Sequence, residues 1–313
     1  MCIRDSHHTT NQFSSRFPGN NSIVSLTVTD EEGGLEPTFR QIRRSSEQAD
    51  TIADLYLTQG FPMALVSNQD RGGAVGFAQY LVDRNEDIRT CLGTSAEQAD
   101  AFSLILDNIG SGAVIDAFTV WRSAEIGVLE VLPAIFGEIT IPQTEIDTLE
   151  LIVSQFTTAK TERMTLSYVN GQYYRDVRSV EDLHATGALL SERLERIRVL
   201  FKVENRVLPN ELPELAEAIL RFPNGQAIAP IIYAGEETFF ISDDKQMRDL
   251  GTQLVGSKGA WLQVILQVGL AENYLTTEEY LNAIVQLSYF RHTHLWVSVD
   301  ILLQAFDLSL IHI

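Results

Sequence analysis

Three short apolar runs in this chain each stop at an aspartate, and helical spacing follows each one. They are Val114-Ile115-Asp116, Phe240-Ile241-Ser242-Asp243 and Ser298-Val299-Asp300. Strand–helix alternation of this kind predicts an α/β fold with a mainly parallel central sheet. In such a sheet the carboxyl ends of the strands share one edge, and ligands bind in the crevice outside it. Aspartates far apart in sequence are therefore expected to converge in space. Clustered carboxylates repel one another and rise in pKa unless a cation sits among them. Their hard oxygens suit Mg²⁺ or Mn²⁺. Such ions can activate a water for phosphodiester hydrolysis. A plainer role stands beside this one. Each aspartate precedes a helix, and Asp is a favoured N-cap. Asp243 with Gln246 resembles a capping box. Asp244, directly after Asp243, is not required by a cap.

The rest of the pattern fills in around these runs. Ser22–Val28 alternates like a strand. Helices are predicted over 36–57 and 72–82. Thr94-Ser95-Ala96-Glu97 reads as a capping box before Ala99–Leu106. Gly110-Ser111-Gly112 breaks the chain and sets an expected boundary. A mostly helical region, 7–110, precedes it, and the α/β domain, 111–307, follows. Past the break come a helix over 118–135, a strand at 138–141 closed by Pro142, and a helix over 144–156. Residues 166–174, turning at Asn170-Gly171, give the strongest hairpin signal. Helices follow at 180–199, 212–221, from 244 to about 254, at 259–270 and at 278–290. A strand is expected at Trp296–Val299, with a last helix from Ile301.

Residues 1–6 and 308–313 do not read as part of this domain. The reverse complement of one DNA encoding of Leu308–Ile313 also encodes Met-Cys-Ile-Arg-Asp, the sequence at residues 1–5. One short DNA element in two orientations explains both ends, and it resembles the transposase adapter of sequencing libraries. Residues 1–6 and 308–313 are thus expected to be adapter-derived, flanking a fragment of a longer metagenomic protein. Cys2 falls in that element, which leaves Cys91 alone. This excludes a disulfide framework and a cysteine zinc site, and it fits a reducing cytoplasm. No apolar run reaches the roughly 18 residues of a membrane span. The formal charge of −19 repels nucleic acid and disfavours nonspecific phosphate binding.

The order of these motifs resembles the PIN domain, in the divergent PIN-like form of large bacterial proteins. The resemblance runs from a strand ending at Asp116, through the strand at 138–141 with Pro142 and an acid-bearing helix, to Ile241-Ser242-Asp243-Asp244 with Arg248. It closes at Val297-Ser298-Val299-Asp300, and it covers roughly residues 111–307. It implies a three-layer PIN-like fold and a Mg²⁺- or Mn²⁺-dependent endoribonuclease acting on single-stranded RNA. It implies Asp116 as the first metal ligand and Asp243 as the third. The second acid departs from the family pattern, which places a Glu just before a Leu. Here Thr148 precedes Leu149, with Glu145, Asp147 and Glu150 nearby. Asp147 is the first choice and Glu150 the next; the two share a helix face. Asp300 is taken as the fourth acid, with Asp244 competing as a metal ligand. Ser242 and Arg248 are candidates for contact with phosphate.

Other features carry less chemistry. His292 and His294 form an i, i+2 pair without an evident third ligand. Trp121, Trp261 and Trp296 sit in apolar patterns and read as core. Arg40, Arg43 and Arg44 make the clearest basic cluster, on a helix where it reads as a solvated face. A phosphatase reading with Asp116 as nucleophile is disfavoured by Phe118, which stands where such a fold carries a second Asp. Two functions therefore stand. One is a ribonuclease using Asp116, Asp147, Asp243 and Asp300. The other is a catalytically degraded PIN-like module that binds a protein partner or regulates within a larger protein. Neither reading involves a membrane or a DNA-specific signal.

Overall fold

The computed structural model describes residues 36–67, 72–169, 171–209, 211–301 and 303. The expected strand at 22–28 and both adapter-like ends lie outside them. The described chain divides into two compact units. One comprises residues up to 51 together with 164–177, and the other comprises 52–163 and 178 onward.

The larger unit holds a five-stranded parallel sheet. Its elements begin with the end of α1 (Glu36–Leu57), then α2 (Met63–Val66), α3 (Gly73–Asp83) and α4 (Ser95–Leu106). Strand β1 (Ala113–Ile115) leads into α5 (Ala117–Glu125) and α6 (Val131–Phe136). β2 (Ile139–Pro142) leads into α7 (Gln143–Thr157). The hairpin β3 (Arg163–Val169) and β4 (Gln172–Arg178) comes next, most of it in the smaller unit. Then follow α8 (Val180–Leu200), β5 (Lys202–Glu204), α9 (Glu214–Leu220), a 3₁₀ turn (Gly225–Ile228) and α10 (Ala229–Ala234). The chain continues with β6 (Phe239–Ile241), α11 (Lys245–Val255), β7 (Gly259–Ala260), α12 (Leu262–Ala271) and α13 (Thr277–Tyr289).

The strand order is β5-β2-β1-β6-β7, with every pair parallel. β1, β2 and β6 are buried along their whole length, which is why β1 and β6 read as unbroken apolar runs and β2 is interrupted only by Thr140. Helices cover both faces. Ile115, Ile141 and Ile241 pack with Trp121, Leu149 and Ile265 on one side. Val114 and Phe240 pack with Ile231 and Met247 on the other. This is the three-layer α/β fold expected from the sequence.

Three expectations change. The helix over 118–135 is two helices, because Gly127 takes a left-handed φ of 75° between them. The first two residues of the helix expected at 259–270 are instead strand β7. Trp296–Val299 forms no strand. Trp296 is 53% exposed, and Ser298 Oγ accepts from the Ile301 amide to start a helical turn.

Candidate functional site

The strand order reverses direction between β1 and β6, since the chain moves from β1 to β2 on one side and adds β6 on the other. That switch point is where an open α/β sheet forms its crevice. The register sets Ile115 beside Ile241, so Asp116 and Ser242-Asp243-Asp244 emerge together at the carboxyl edge. All four side chains are buried. Arg248, one turn into α11, is also buried, and its Nη1 donates to the Ser242 carbonyl at 2.5 Å.

Each carboxyl here is engaged by the start of a helix. Asp116 caps α5 through the Thr119 amide at 2.7 Å. Asp244 caps α11 through the Gln246 amide at 3.1 Å, and its other oxygen accepts from the Met63 amide at 2.6 Å. Asp243 Oδ1 accepts from the Leu262 amide, the first residue of α12, at 2.6 Å. Its own amide donates to Thr119 Oγ1 at 2.7 Å. Asp243 Oδ2 has no hydrogen-bond partner among the described residues, although His292 Nδ1 lies 3.4 Å away. Ser242 Oγ accepts from the Asp244 amide at 3.3 Å.

The fourth carboxyl in this cluster is Glu145, which the sequence placed only among the nearby candidates. It lies in the first turn of α7, is buried, and accepts from the Ala117 amide at 2.7 Å. Asp147 and Glu150 are both exposed on α7. Asp147 accepts from Gln143 at 2.7 Å, and Glu150 pairs with Arg198. Asp300 is exposed in the turn begun by Ser298. The structure thus brings together Asp116, Asp243, Asp244, Ser242 and Arg248. Asp147, Glu150 and Asp300 stay apart from that group. His292 is buried and stacks on Phe118 with ring centroids 6.0 Å apart, whereas His294 is exposed.

Burial dominates the electrostatics. It pushes Glu145 up to about 8, helped by the neighbouring charge of Asp116. It pushes Asp243 and Asp244 each up to about 7, against the pull of amide hydrogen bonds and Arg248. Asp116 is raised for the same reason. Burial lowers Arg248, and it holds His292 well below the usual imidazole range.

Divalent cations do not fit this arrangement. Among the described residues no three His, Cys, Asp or Glu side chains come together as ligands. The cavity between Asp116, Glu145 and Asp244 is closed by Met63, Phe118 and Met247 and measures about 10 Å³. That is roughly the room one water needs, whereas Mg²⁺ demands six oxygens in near-ideal octahedral geometry and keeps several waters. Met63 and Ala64 of α2 line this cavity.

Residues 114–253 match a protein-family model described as the PIN domain associated with the TPR-GreAB-C-PIN system. No curated protein and no solved structure matches the chain. PIN domains typically depend on divalent metals, and many are nucleases. The matched segment begins in β1 and ends in α11, so it contains Asp116, Glu145, Asp243 and Asp244 together with the central strands β2, β1 and β6. On the fold, the switch point and this match, the chain carries a PIN-like domain.

Proposed function

We propose that this PIN-like domain, taken as residues 111–307, is a non-catalytic module that works by binding within a larger protein. The observation behind this reading is that each buried carboxyl at the sheet edge already accepts a hydrogen bond from a helix N-terminal amide. The Met63 amide takes the second oxygen of Asp244, and its side chain is fully buried beside the cluster. These carboxyls organise helix starts. A second reading, a Mg²⁺- or Mn²⁺-dependent ribonuclease acting on single-stranded RNA, draws support from the meeting of Asp116, Asp243 and Asp244 at the switch point.

Mn²⁺ titration by calorimetry separates the two. The chain and a D116N/D243N variant are compared, with circular dichroism to establish that both fold. The expected result is no site-specific heat from either. Uptake by the native chain that the double substitution abolishes would overturn the non-catalytic reading in favour of the ribonuclease.

A further inference from the structure

The segment that closes the carboxyl edge lies outside the stretch that matches the family. α2 covers Met63–Val66, whereas the match spans residues 114–253 and contains Asp116, Glu145 and Asp244. Met63 is fully buried, and with Phe118 and Met247 it walls the cavity that those three carboxyls also line. That cavity measures about 10 Å³. A second, of about 30 Å³, is lined by Ser67, Thr144, Thr148 and again Glu145. The two share Ala64, Ala74, Glu145 and Ala227 as walls. α2 thus divides and caps the crevice at the switch point, the place where an open α/β sheet takes a ligand.

Little in α2 itself holds it there. One helical turn does not stand alone, because nucleation costs more than a single turn returns. No side chain caps its start. Its polar anchors are tertiary. The Met63 amide donates to Asp244 Oδ2 at 2.6 Å. Asn224 Nδ2 donates to the Leu65 carbonyl at 3.2 Å and also to the Ser67 carbonyl. Glycines with left-handed backbone stand on both sides, Gly60 at φ 74° and Gly72 at φ 91°. A Cβ at Gly60 would meet nothing within 4 Å, so the chain has room to turn at that point.

We propose that α2 is a displaceable plug, hinged at Gly60 and Gly72, and that its presence is what keeps divalent cations from the carboxyls of Asp116, Glu145 and Asp244. The poor fit for a cation then belongs to the plugged state and not to the acids. When α2 swings out, Asp244 exchanges the Met63 amide for solvent and the two cavities join. This rests on the non-catalytic reading of the chain with α2 in place, and it adds what holds the edge shut.

The test pairs hydrogen–deuterium exchange, read by mass spectrometry, with Mn²⁺ calorimetry on the full chain. Met63→Pro removes the amide that Asp244 accepts from, at the first helical residue, where proline is tolerated. Pro62 already has the extended conformation needed before a proline (φ −57°, ψ 141°). Met63→Leu keeps the amide and an apolar side chain. In the native chain, residues 61–67 are expected to exchange while β1 and β6 stay protected. Met63→Pro should speed that exchange about tenfold, the size of one lost buried hydrogen bond, and leave β1 and β6 protected. Asn224→Ala drops the bonds to α2 without touching Asp244 and should act in the same direction. Met63→Pro should also take up Mn²⁺, which the native chain and Met63→Leu should not, and adding D116N/D243N should abolish that uptake. Exchange of 61–67 only together with β1 and β6 would make α2 part of the core and overturn the proposal. Faster exchange in Met63→Pro without Mn²⁺ uptake would overturn it too, and the non-catalytic reading would stand. Uptake by the native chain would overturn that reading instead, and the plug with it only if Met63→Pro binds no more tightly.

Discussion

Glu145 reaches the cluster because of where α7 begins. Pro142 ends β2 in an extended conformation (φ −59°, ψ 142°), and the helix starts at the next residue. The first turn therefore faces the sheet edge. Glu145, Ile146, Leu149 and Val153 form the buried stripe, while Asp147 and Glu150 lie round the helix from it. Replacing Glu145 with Gln keeps an oxygen for the Ala117 amide and removes a carboxyl that ionises at a cost above its ordinary range. The expected result is a variant more stable than the native chain at pH 8 by about 1–3 kcal/mol, and nearly unchanged at pH 5, read from urea midpoints. Equal stability at both pH values would show that the buried carboxyl is not strained. The stripe was legible in the spacing of Ile146, Leu149 and Val153, and Glu145 adjoins it. The family's position before Leu149 holds Thr148, and Asp147, chosen from the acids beside it, is turned towards solvent by this helix.

At the scale of elements, the sheet's centre was readable and its edges were not. β1 and β6 are unbroken apolar runs buried on both faces, β2 departs from this only at Thr140, and that composition announces a parallel core strand. β7 is only Gly259-Ala260, too short to show any period. Its signal is the glycine itself. A Cβ at Gly259 would fall 2.0 Å from the Phe240 carbonyl oxygen, across the β6–β7 pairing. Gly259→Ala must push β7 off the sheet, and with it the Leu262 amide that holds Asp243. A loss of at least about 2 kcal/mol is expected from such overpacking, seen as a lower melting temperature. A shift within the error of the melt would place β7 outside the sheet. Trp296–Val299 misled in the opposite way. Its apolar residues resemble a strand, yet Trp296 and Val299 are more than half exposed and no sheet edge receives them. α2 gave no signal, because a four-residue helix has no period, and what fixes it is a tertiary bond from Met63 to Asp244.

For the whole molecule, the buried carboxyls make stability depend on pH in a direction opposite to that of most acidic proteins. Glu145 titrates near 8, and Asp243 and Asp244 near 7, all above the range of carboxyls in an unfolded chain. The folded state therefore binds protons that the unfolded state has released. By linkage, stability from these groups is complete below about pH 4 and is lost as the pH rises through 7 and 8. His292 acts in the other sense. Its pKa is lowered by burial, so its contribution disappears only as the pH falls below about 6.5. Between 6.5 and 8 the carboxyls act unopposed by it. The folded chain is expected to lose of the order of 2 kcal/mol across that window, and the E145Q variant clearly less. Chemical denaturation at pH 6.5, 7.25 and 8 measures this directly. Flat stability across the window would mean that the cluster is compensated by cations, and Mn²⁺ added at pH 8 would then raise the midpoint where it otherwise should not.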